Sequence, residues 1–459
     1  MPPVPPRIVV AALRGGSGKT TLTLGLIQAL ADLGLSVAPF KKGPDYIDPF
    51  WLSEAAGAPC RNLDPYLMGG PQIRRSFAHF SRGCQTAVIE GNRGLFDGMD
   101  TVGSYSTAEL AKTLEAPVVM ALDCTMTSRS VAAVALGCQK YDPELDLAGF
   151  ILNPVGTARQ EGVVRRAVEE ATGLPVLGAV PRLKLDMPQR HMGLVPPQEH
   201  ARVAEALHQA ARSVAAHVDL ERLRDIMAQA PAWSEDEPPE GLLPASPPSG
   251  PRPRIGVVRD AAFGFYYPEN LEALANHGAD LVFCSALMDP ALPEVDALYL
   301  GGGFPETHAP ALAANAAFRA SLAAAAEAGL PIYAECGGLM YLGRRLVVDG
   351  QAWDMAGVLP LDFVMKRRPQ GHGYTLCQVE KPNPFWPVGY EFKAHEFHYS
   401  EPHPLPGAEL ELAYRVRRGK GLIGDMGGLM RRKVLGTYHH VHVLGSPGWA
   451  PGLLQAAKG

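Results

Sequence analysis

Three features are scarce in this 459-residue chain, and each scarcity removes a class of protein. Cysteine is sparse and unpaired. The seven, at positions 60, 84, 124, 138, 284, 336 and 377, are odd in number and show no short paired spacing, so neither a disulfide framework nor a zinc module is expected. No uninterrupted run of about 18 apolar residues occurs, the length a membrane-crossing helix needs. The opening Met1–Pro6 is too proline-rich and too short of apolar length for a signal peptide. Basic excess is also absent: 42 Lys and Arg stand against 47 Asp and Glu, for a formal net charge of -5. General nucleic-acid and membrane-surface binders carry a strong positive balance. The expectation is a cytoplasmic protein with no nucleic-acid or membrane partner, in which any anionic ligand is held by local charges.

What is present is ordinary for a folded protein, 47% hydrophobic and 19% charged, with length for two domains that each bury a core. Composition shifts between Pro231 and Pro253, where proline, serine and acidic residues replace periodic apolar patterns. This predicts a domain over 1–230, a linker over 231–253 and a second domain over 254–459. Before the linker, apolar runs at Arg7–Ala12, Ser36–Phe40, Ala87–Glu90, Pro117–Cys124, Leu147–Asn153 and Val176–Pro181 alternate with helical patterns. Such runs read as strands buried on both faces of a parallel α/β sheet. Arg254–Val258, Leu281–Ser285, Ala297–Leu300 and Ile332–Ala334 repeat the style, with an alanine-rich helix expected over Ala311–Ala328. The β-branched and aromatic tail from Gly371 to Val443 predicts strands that extend the second sheet.

Residues Arg14-Gly15-Gly16-Ser17-Gly18-Lys19-Thr20 follow the first strand and precede the helical pattern Thr21–Leu33. Glycines let backbone N–H groups turn toward phosphate oxygens, Lys19 reaches the β and γ phosphates, and Thr20 offers a hydroxyl to Mg²⁺. The loop deviates from the strict phosphate-loop pattern at Leu13, where glycine is usual; the alternative is a glycine turn with no ligand. Two acidic clusters end later strands, Lys41-Lys42-Gly43-Pro44-Asp45-Tyr46-Ile47-Asp48 and Glu90-Gly91-Asn92-Arg93-Gly94-Leu95-Phe96-Asp97. Carboxylates beside a phosphate site are repelled by it unless a metal intervenes, so Asp45, Asp48, Glu90 and Asp97 are candidates for Mg²⁺ or for positioning a substrate, or else solvated turn residues.

The last third holds Tyr333-Ala334-Glu335-Cys336-Gly337-Gly338 after an apolar run. A cysteine at a sharp strand-to-helix turn has an exposed sulfur, a strained backbone and a helix N-terminus that favours thiolate. The N–H of Gly337 and the Gly301-Gly302-Gly303 turn could cradle an oxyanion. A base is best sought in Thr437-Tyr438-His439-His440-Val441-His442, where His440 and His442 share a strand face and His439 points away. Metal binding by these histidines is the lesser alternative, since no nearby cysteine or carboxylate has ligand spacing. His395 and His398 are weaker candidates for the base, better read as pocket-wall residues.

In order, the strings Gly18-Lys19-Thr20-Thr21, Gly43-Pro44-Asp45-Tyr46-Ile47-Asp48, Glu90-Gly91, Arg190-His191-Met192-Gly193-Leu194, Tyr266-Tyr267-Pro268-Glu269-Asn270, Leu300-Gly301-Gly302-Gly303-Phe304-Pro305-Glu306, Ala334-Glu335-Cys336-Gly337-Gly338-Leu339-Met340-Tyr341-Leu342 and His395-Glu396-Phe397-His398-Tyr399-Ser400 span almost the whole chain. It resembles the cobyrinic acid a,c-diamide synthases and their relatives acting on hydrogenobyrinic acid or nickel sirohydrochlorin. The resemblance implies an N-terminal dethiobiotin-synthetase-like parallel sheet and a C-terminal class I glutamine amidotransferase-like α/β domain.

It further implies an ATP- and glutamine-dependent ligase in cobalamin biosynthesis that amidates two acetate carboxylates of a corrin. Cys336 is then the nucleophile and His440 its base, with Gly302, Gly303 and Gly337 around the oxyanion. The class usually carries a Glu two residues after that histidine, where this chain has His442. Likeness to dethiobiotin synthetases implies Lys41 near the reacting carboxylate, and Asp45 and Asp97 of the acidic clusters are the further catalytic candidates. It also implies Thr20 and Glu90 at Mg²⁺ with an aspartate of the 45–48 segment, Asp48 taken over Asp45, and Asn153, Pro181 and Arg182 around the adenine of an ATP whose phosphates lie on Gly15 to Thr21. An anionic corrin needs cations, for which Lys42 and Arg93 beside Tyr46, Arg190, His191 and the Lys366-Arg367-Arg368 run are available. The expected partners are L-glutamine and the corrin, with a homodimer carried as the oligomeric expectation. A nucleotide switch of the partitioning type is the alternative from another class; it leaves Cys336 and His440 unexplained.

Overall fold

A strand with apolar side chains on both faces has to be covered on both, and Arg7–Ala12, Val37–Lys42, Thr86–Glu90 and Val118–Leu122 are buried at every position. In this computed structural model, which describes residues 3–182, 189–190, 193–194, 203–246 and 250–459, the chain divides into two units at residues 238 and 239. His191 and the side chain of Arg190 lie outside the described residues. No described helix is long and apolar enough to cross a membrane.

The first unit is built on a seven-stranded sheet in the spatial order Arg61–Leu63, Val37–Lys42, Thr86–Glu90, Arg7–Ala12, Val118–Leu122, Leu147–Val155, Val176–Pro181. Every pairing is parallel. The short strand Arg61–Leu63 carries too few residues for a periodic signal, and the sequence reading passes over it. Strand Thr86–Glu90 is inserted between the strand leading to the phosphate loop and the strand ending in Lys42. Its terminal Glu90 therefore pairs with Val10 on one side and Lys41 on the other. That insertion brings three loops to one sheet end, where open α/β sheets bind ligands. Within 231–238 the chain is packed: Trp233 accepts a backbone bond from Val4 at 2.9 Å and lies under the Arg74 guanidinium.

In the second unit a ten-stranded sheet runs Asp280–Cys284, Arg254–Val258, Ala297–Leu300, Ile332–Glu335, Val434–Thr437, Met426–Arg431, Glu411–Arg418, Gly371–Val379, Glu391–His398, His440–Val441. The first five are mutually parallel and the remainder antiparallel. The tail strands extend the second sheet as the sequence predicts. Four others, Arg345–Val348, Gln351–Asp354, Leu361–Met365 and Ser400–Pro404, form a separate sheet that the sequence does not announce.

The helix expected over Ala311–Ala328 is two helices, Ala309–Ala314 and Ala316–Glu327. Asn315 divides them because its side chain competes with the helix backbone. Its Oδ1 accepts from Phe318 N–H at 3.3 Å, while Nδ2 donates to Ala286 O and Asp289 O, both at 2.9 Å. Asn315→Ala removes a cap and two tethers, and should lower stability by about 1–2 kcal/mol in urea unfolding. Asn315→Asp keeps the cap and loses the donors, so its midpoint should fall between those of wild type and the alanine variant.

Candidate active site

In the first unit the phosphate loop closes against Asn153. Gly16 and Gly18 both adopt φ of 77°, and a Cβ at Gly18 would lie 2.4 Å from Asn153 Nδ2, so only glycine fits. Asn153 Nδ2 donates to Ser17 O at 3.0 Å. Gly16, Ser17, Gly18, Thr21, Asn153 and Arg182 help line a cavity of about 190 Å³; Pro181 ends its strand without joining the lining, and Gly15 stands in open space. The Lys19 ammonium donates to Arg93 O at 2.8 Å and to Arg14 O at 3.3 Å. Burial and the neighbouring Lys41 charge lower its pKa.

Beside this loop lies a buried charge cluster. Lys41, 2% exposed, has its Nζ 2.6 Å from Asp48 Oδ2 and 3.0 Å from Glu90 Oε1. Burial pushes the ammonium down, but Asp48, Glu90 and Asp45 together hold its pKa above the ordinary lysine value. Glu90 is shifted up by burial and accepts from Thr20 Oγ1 at 2.7 Å. Its other oxygen, Oε2, is buried with no hydrogen-bond partner among the described residues. An orphaned carboxylate oxygen beside a threonine hydroxyl suits a hard, oxygen-seeking dication completed by phosphate oxygens. No group of three or more His, Cys, Asp or Glu that could hold an ion by itself occurs among the described residues.

The remaining predicted residues of this unit surround the cluster. Asp45 Oδ1 accepts from the N–H groups of Ile47 at 2.7 Å and Asp48 at 3.1 Å, anchoring the helix that carries Asp48. Burial and the Asp48 charge raise its pKa. Asp97 Oδ2 accepts from Gly94 N–H at 2.9 Å and is otherwise exposed. Lys42 and Tyr46 are buried, and Arg93 is exposed with φ of 53°. Burial is the main cause that lowers the Lys42 pKa, and the Arg93 charge adds to it.

In the second unit, Cys336 lies between strand Ile332–Glu335 and helix Gly337–Leu342, with φ 46° and ψ -96°. A non-glycine residue there is strained. Its N–H donates to Thr437 O at 2.7 Å, which pins the turn to the neighbouring strand. The turn predicts an exposed sulfur, yet Cys336 is only 5% exposed. Glycines permit the burial: a Cβ at Gly302 would lie 2.5 Å from His440 Cε1, one at Gly337 would lie 2.9 Å from Gly303 N, and one at Gly303 would lie 2.1 Å from Ala262 O.

His440 lies beside the Cys336 thiol, which itself donates weakly to Phe397 O at 3.9 Å, and has Nδ1 3.6 Å from Glu335 Oε2. Burial lowers its pKa, but the neighbouring Cys336 thiol and Glu335 carboxylate outweigh that and raise it to about 9. His395, its partner across the strand pair, stacks on it at 4.9 Å; burial and the surrounding histidines push His395 well below its ordinary value. His439 and His442 face elsewhere. His439 Nδ1 meets Tyr414 Oη at 2.9 Å and burial lowers its pKa to about 4; His442 Nε2 is 3.8 Å from Glu269 Oε2. His398 stacks on Tyr438 with ring centroids 3.5 Å apart. Lys366, Arg367 and Arg368 are exposed, with Lys366 paired to Glu401 at 2.8 Å.

Sequence reasoning missed Glu335, although a carboxylate ending an apolar strand is itself a signal that buried charge needs a partner. Tyr299 and Asn270, which surround Glu335, give no such signal.

Comparison with known proteins covers both units. A CobQ/CobB/MinD/ParA nucleotide binding domain matches residues 8–195, and a CobB/CobQ-like glutamine amidotransferase domain matches residues 254–448. The chain is 44% identical to the cobyrinate a,c-diamide synthase of Magnetococcus marinus, over 98% of this chain and 97% of that protein. It is 41% identical to the protein of the same name from Archaeoglobus fulgidus, over 96% and 94%. A third so named, from Dehalococcoides mccartyi, is 38% identical over 99% and 98%.

Replacing Lys41 by methionine strands two carboxylates in a buried place, an arrangement that costs about 3–5 kcal/mol. The penalty depends on pH with a defined sign. Glu90 has its folded pKa raised above the unfolded value of about 4.3. Its contribution is favourable below that value and is lost as pH rises through the folded pKa. Lys41→Met should therefore be more destabilising at pH 8 than at pH 5 in urea unfolding, and an equal loss at both would contradict the ion-pair account.

Proposed function

The chain belongs to the cobyrinate a,c-diamide synthase family, and from that premise we propose that it amidates the a and c acetate carboxylates of cobyrinic acid, with ATP as activator and glutamine as ammonia source. It is a glutamine-hydrolysing carbon–nitrogen ligase. The observation that carries the proposal is the strained Cys336 with His440 beside it, in a chain that also has a nucleotide-binding domain.

In the glutaminase half, His440 takes the thiol proton and Cys336 Sγ attacks the glutamine carboxamide carbon. The tetrahedral oxyanion is received by the amides around Gly302, Gly303 and Gly337. Collapse, with the imidazolium returning its proton to the leaving nitrogen, releases ammonia and leaves a glutamyl thioester. Water then hydrolyses the thioester to glutamate and frees the thiol.

The other half makes a poor electrophile reactive. A corrin carboxylate attacks the γ phosphorus of ATP, giving an acyl phosphate and ADP. Neutral ammonia displaces phosphate from the carbonyl carbon, forming the amide and releasing a proton. Gly15 to Thr21 cradle the phosphates, Lys19 follows the charge on the γ group, and Asn153 and Arg182, which line the adjoining cavity, border the base. Thr20, Glu90 and Asp48 would hold Mg²⁺, which when bound neutralises charge on the transferring phosphoryl group. Lys41 orients the reacting carboxylate, Asp45 and Asp97 hold the loops that present it, and Lys42, Tyr46 and Arg93 receive the macrocycle.

Cys336→Ala should abolish glutamine-driven amidation and retain amidation driven by a high concentration of ammonium salt, both followed by mass spectrometry of the product. Equal loss of the two activities in a folded protein would refute the division of labour. Running the assay on cobyrinate, hydrogenobyrinate and nickel sirohydrochlorin identifies the macrocycle, and diamide from cobyrinate is the expected result. Glu90→Gln should reduce MgATP-dependent turnover at least tenfold even when ammonia is supplied; wild-type turnover would remove Glu90 from the phosphoryl-transfer site.

A further inference from the structure

The glutaminase reading leaves open what aligns His440, because the residue two positions later is His442, which faces Glu269 rather than His440. The geometry points to Glu335, the residue immediately before the nucleophile, as the carboxylate that positions the His440 imidazole for proton transfer with Cys336. This inference rests on the glutaminase reading of the same site.

Four observations carry it. Glu335 is fully buried, and its Oε2 is 3.6 Å from His440 Nδ1. The carboxylate cannot swing away, since Oε1 accepts from Val441 N–H at 3.1 Å and Oε2 accepts from Tyr299 Oη at 3.2 Å. The histidine segment is fixed from the other side by Asn270, whose Nδ2 donates to Val441 O at 2.7 Å and whose Oδ1 accepts from Val443 N–H at 2.8 Å. Asn270 also donates to Tyr299 Oη at 3.4 Å, closing the web.

A carboxylate facing Nδ1 keeps the proton on that nitrogen, so Nε2 carries the lone pair that can take the thiol proton; it then stabilises the imidazolium formed. The usual strand-borne acid is thus replaced by one from the strand that ends in the nucleophile. Nucleophile and orienting acid are adjacent in the chain and both approach the same imidazole. The titratable groups gathered on His440 are Cys336 and Glu335 from one strand end and His395 from the facing strand, with His439 adjacent in sequence. Of these, only Glu335 and the thiolate favour the charged imidazole.

Glu335→Gln keeps the shape and an oxygen for Val441 N–H but removes the charge. It should lower kcat for glutamine hydrolysis about a hundredfold, measured as glutamate release in the complete reaction, with KM for glutamine changed less than threefold. The ratio of ammonium-driven to glutamine-driven amidation should rise by the same factor, and the pH limb set by His440 should move to lower pH. Tyr299→Phe removes one of the two bonds to the carboxylate and should cost kcat about tenfold or less with the limb near its wild-type position. Wild-type kcat in Glu335→Gln overturns the assignment, as does a lower kcat with an unmoved pH limb, which would make the carboxylate merely structural. If the wild-type chain releases no glutamate, the glutaminase reading itself falls and the positioning role falls with it.

Discussion

The conformation of one residue organises the second unit. With φ at 46°, Cys336 occupies backbone space that most side chains avoid, and the cost is met by what surrounds it. The bond from its N–H to Thr437 holds the turn against the adjacent strand, and the glycine segment 301–303 has no side chain to obstruct His440 or Gly337. The parallel register that aligns Glu335 with Thr437 then sets where the thiol emerges, and the two-residue strand at His440 pairs with His395 to bring the imidazole to it. Relaxing the turn would move the sulfur, the glycine cradle and the imidazole together, because each is defined by contact with the others.

The first unit solves a different problem, the concentration of charge without water. Lys41 sits in the sheet interior, where an isolated ammonium is costly, and is retained because one carboxylate at a strand end, Glu90, and one at a helix start, Asp48, reach it. The inserted strand Thr86–Glu90 makes this possible: parallel register fixes Glu90 next to Lys41 while the adjacent phosphate loop supplies Thr20.

Much of this was legible in the sequence for a physical reason. Continuous apolar runs such as Val118–Leu122 must be doubly covered, and the phosphate loop shows itself because glycine and lysine are needed at set spacings. The histidine cluster pointed to the segment that packs beside Cys336, but alternation alone does not tell which ring faces the thiol, since it assumes a regular strand and the strand here is only His440–Val441. Glu335 went unread because its role depends on side chains distant in sequence, Tyr299 and Asn270, brought together by strand order alone. The four-stranded sheet escaped for the same reason, its members being short and separated.

The balance of fixed charge around Lys41 has an electrical consequence. Two ammonium groups, Lys19 and Lys41, face the carboxylates of Asp48 and Glu90, with Asp45 also acting on Lys41 and Asp97 on Lys19, so the positive charge of the pocket is already balanced before anything enters. A bare polyanion meets as much repulsion as attraction there, and a lone dication must compete with the lysines for the same oxygens. An anion that arrives already chelated disturbs the balance least. The arrangement therefore discriminates by the net charge of the incoming complex as well as by its shape.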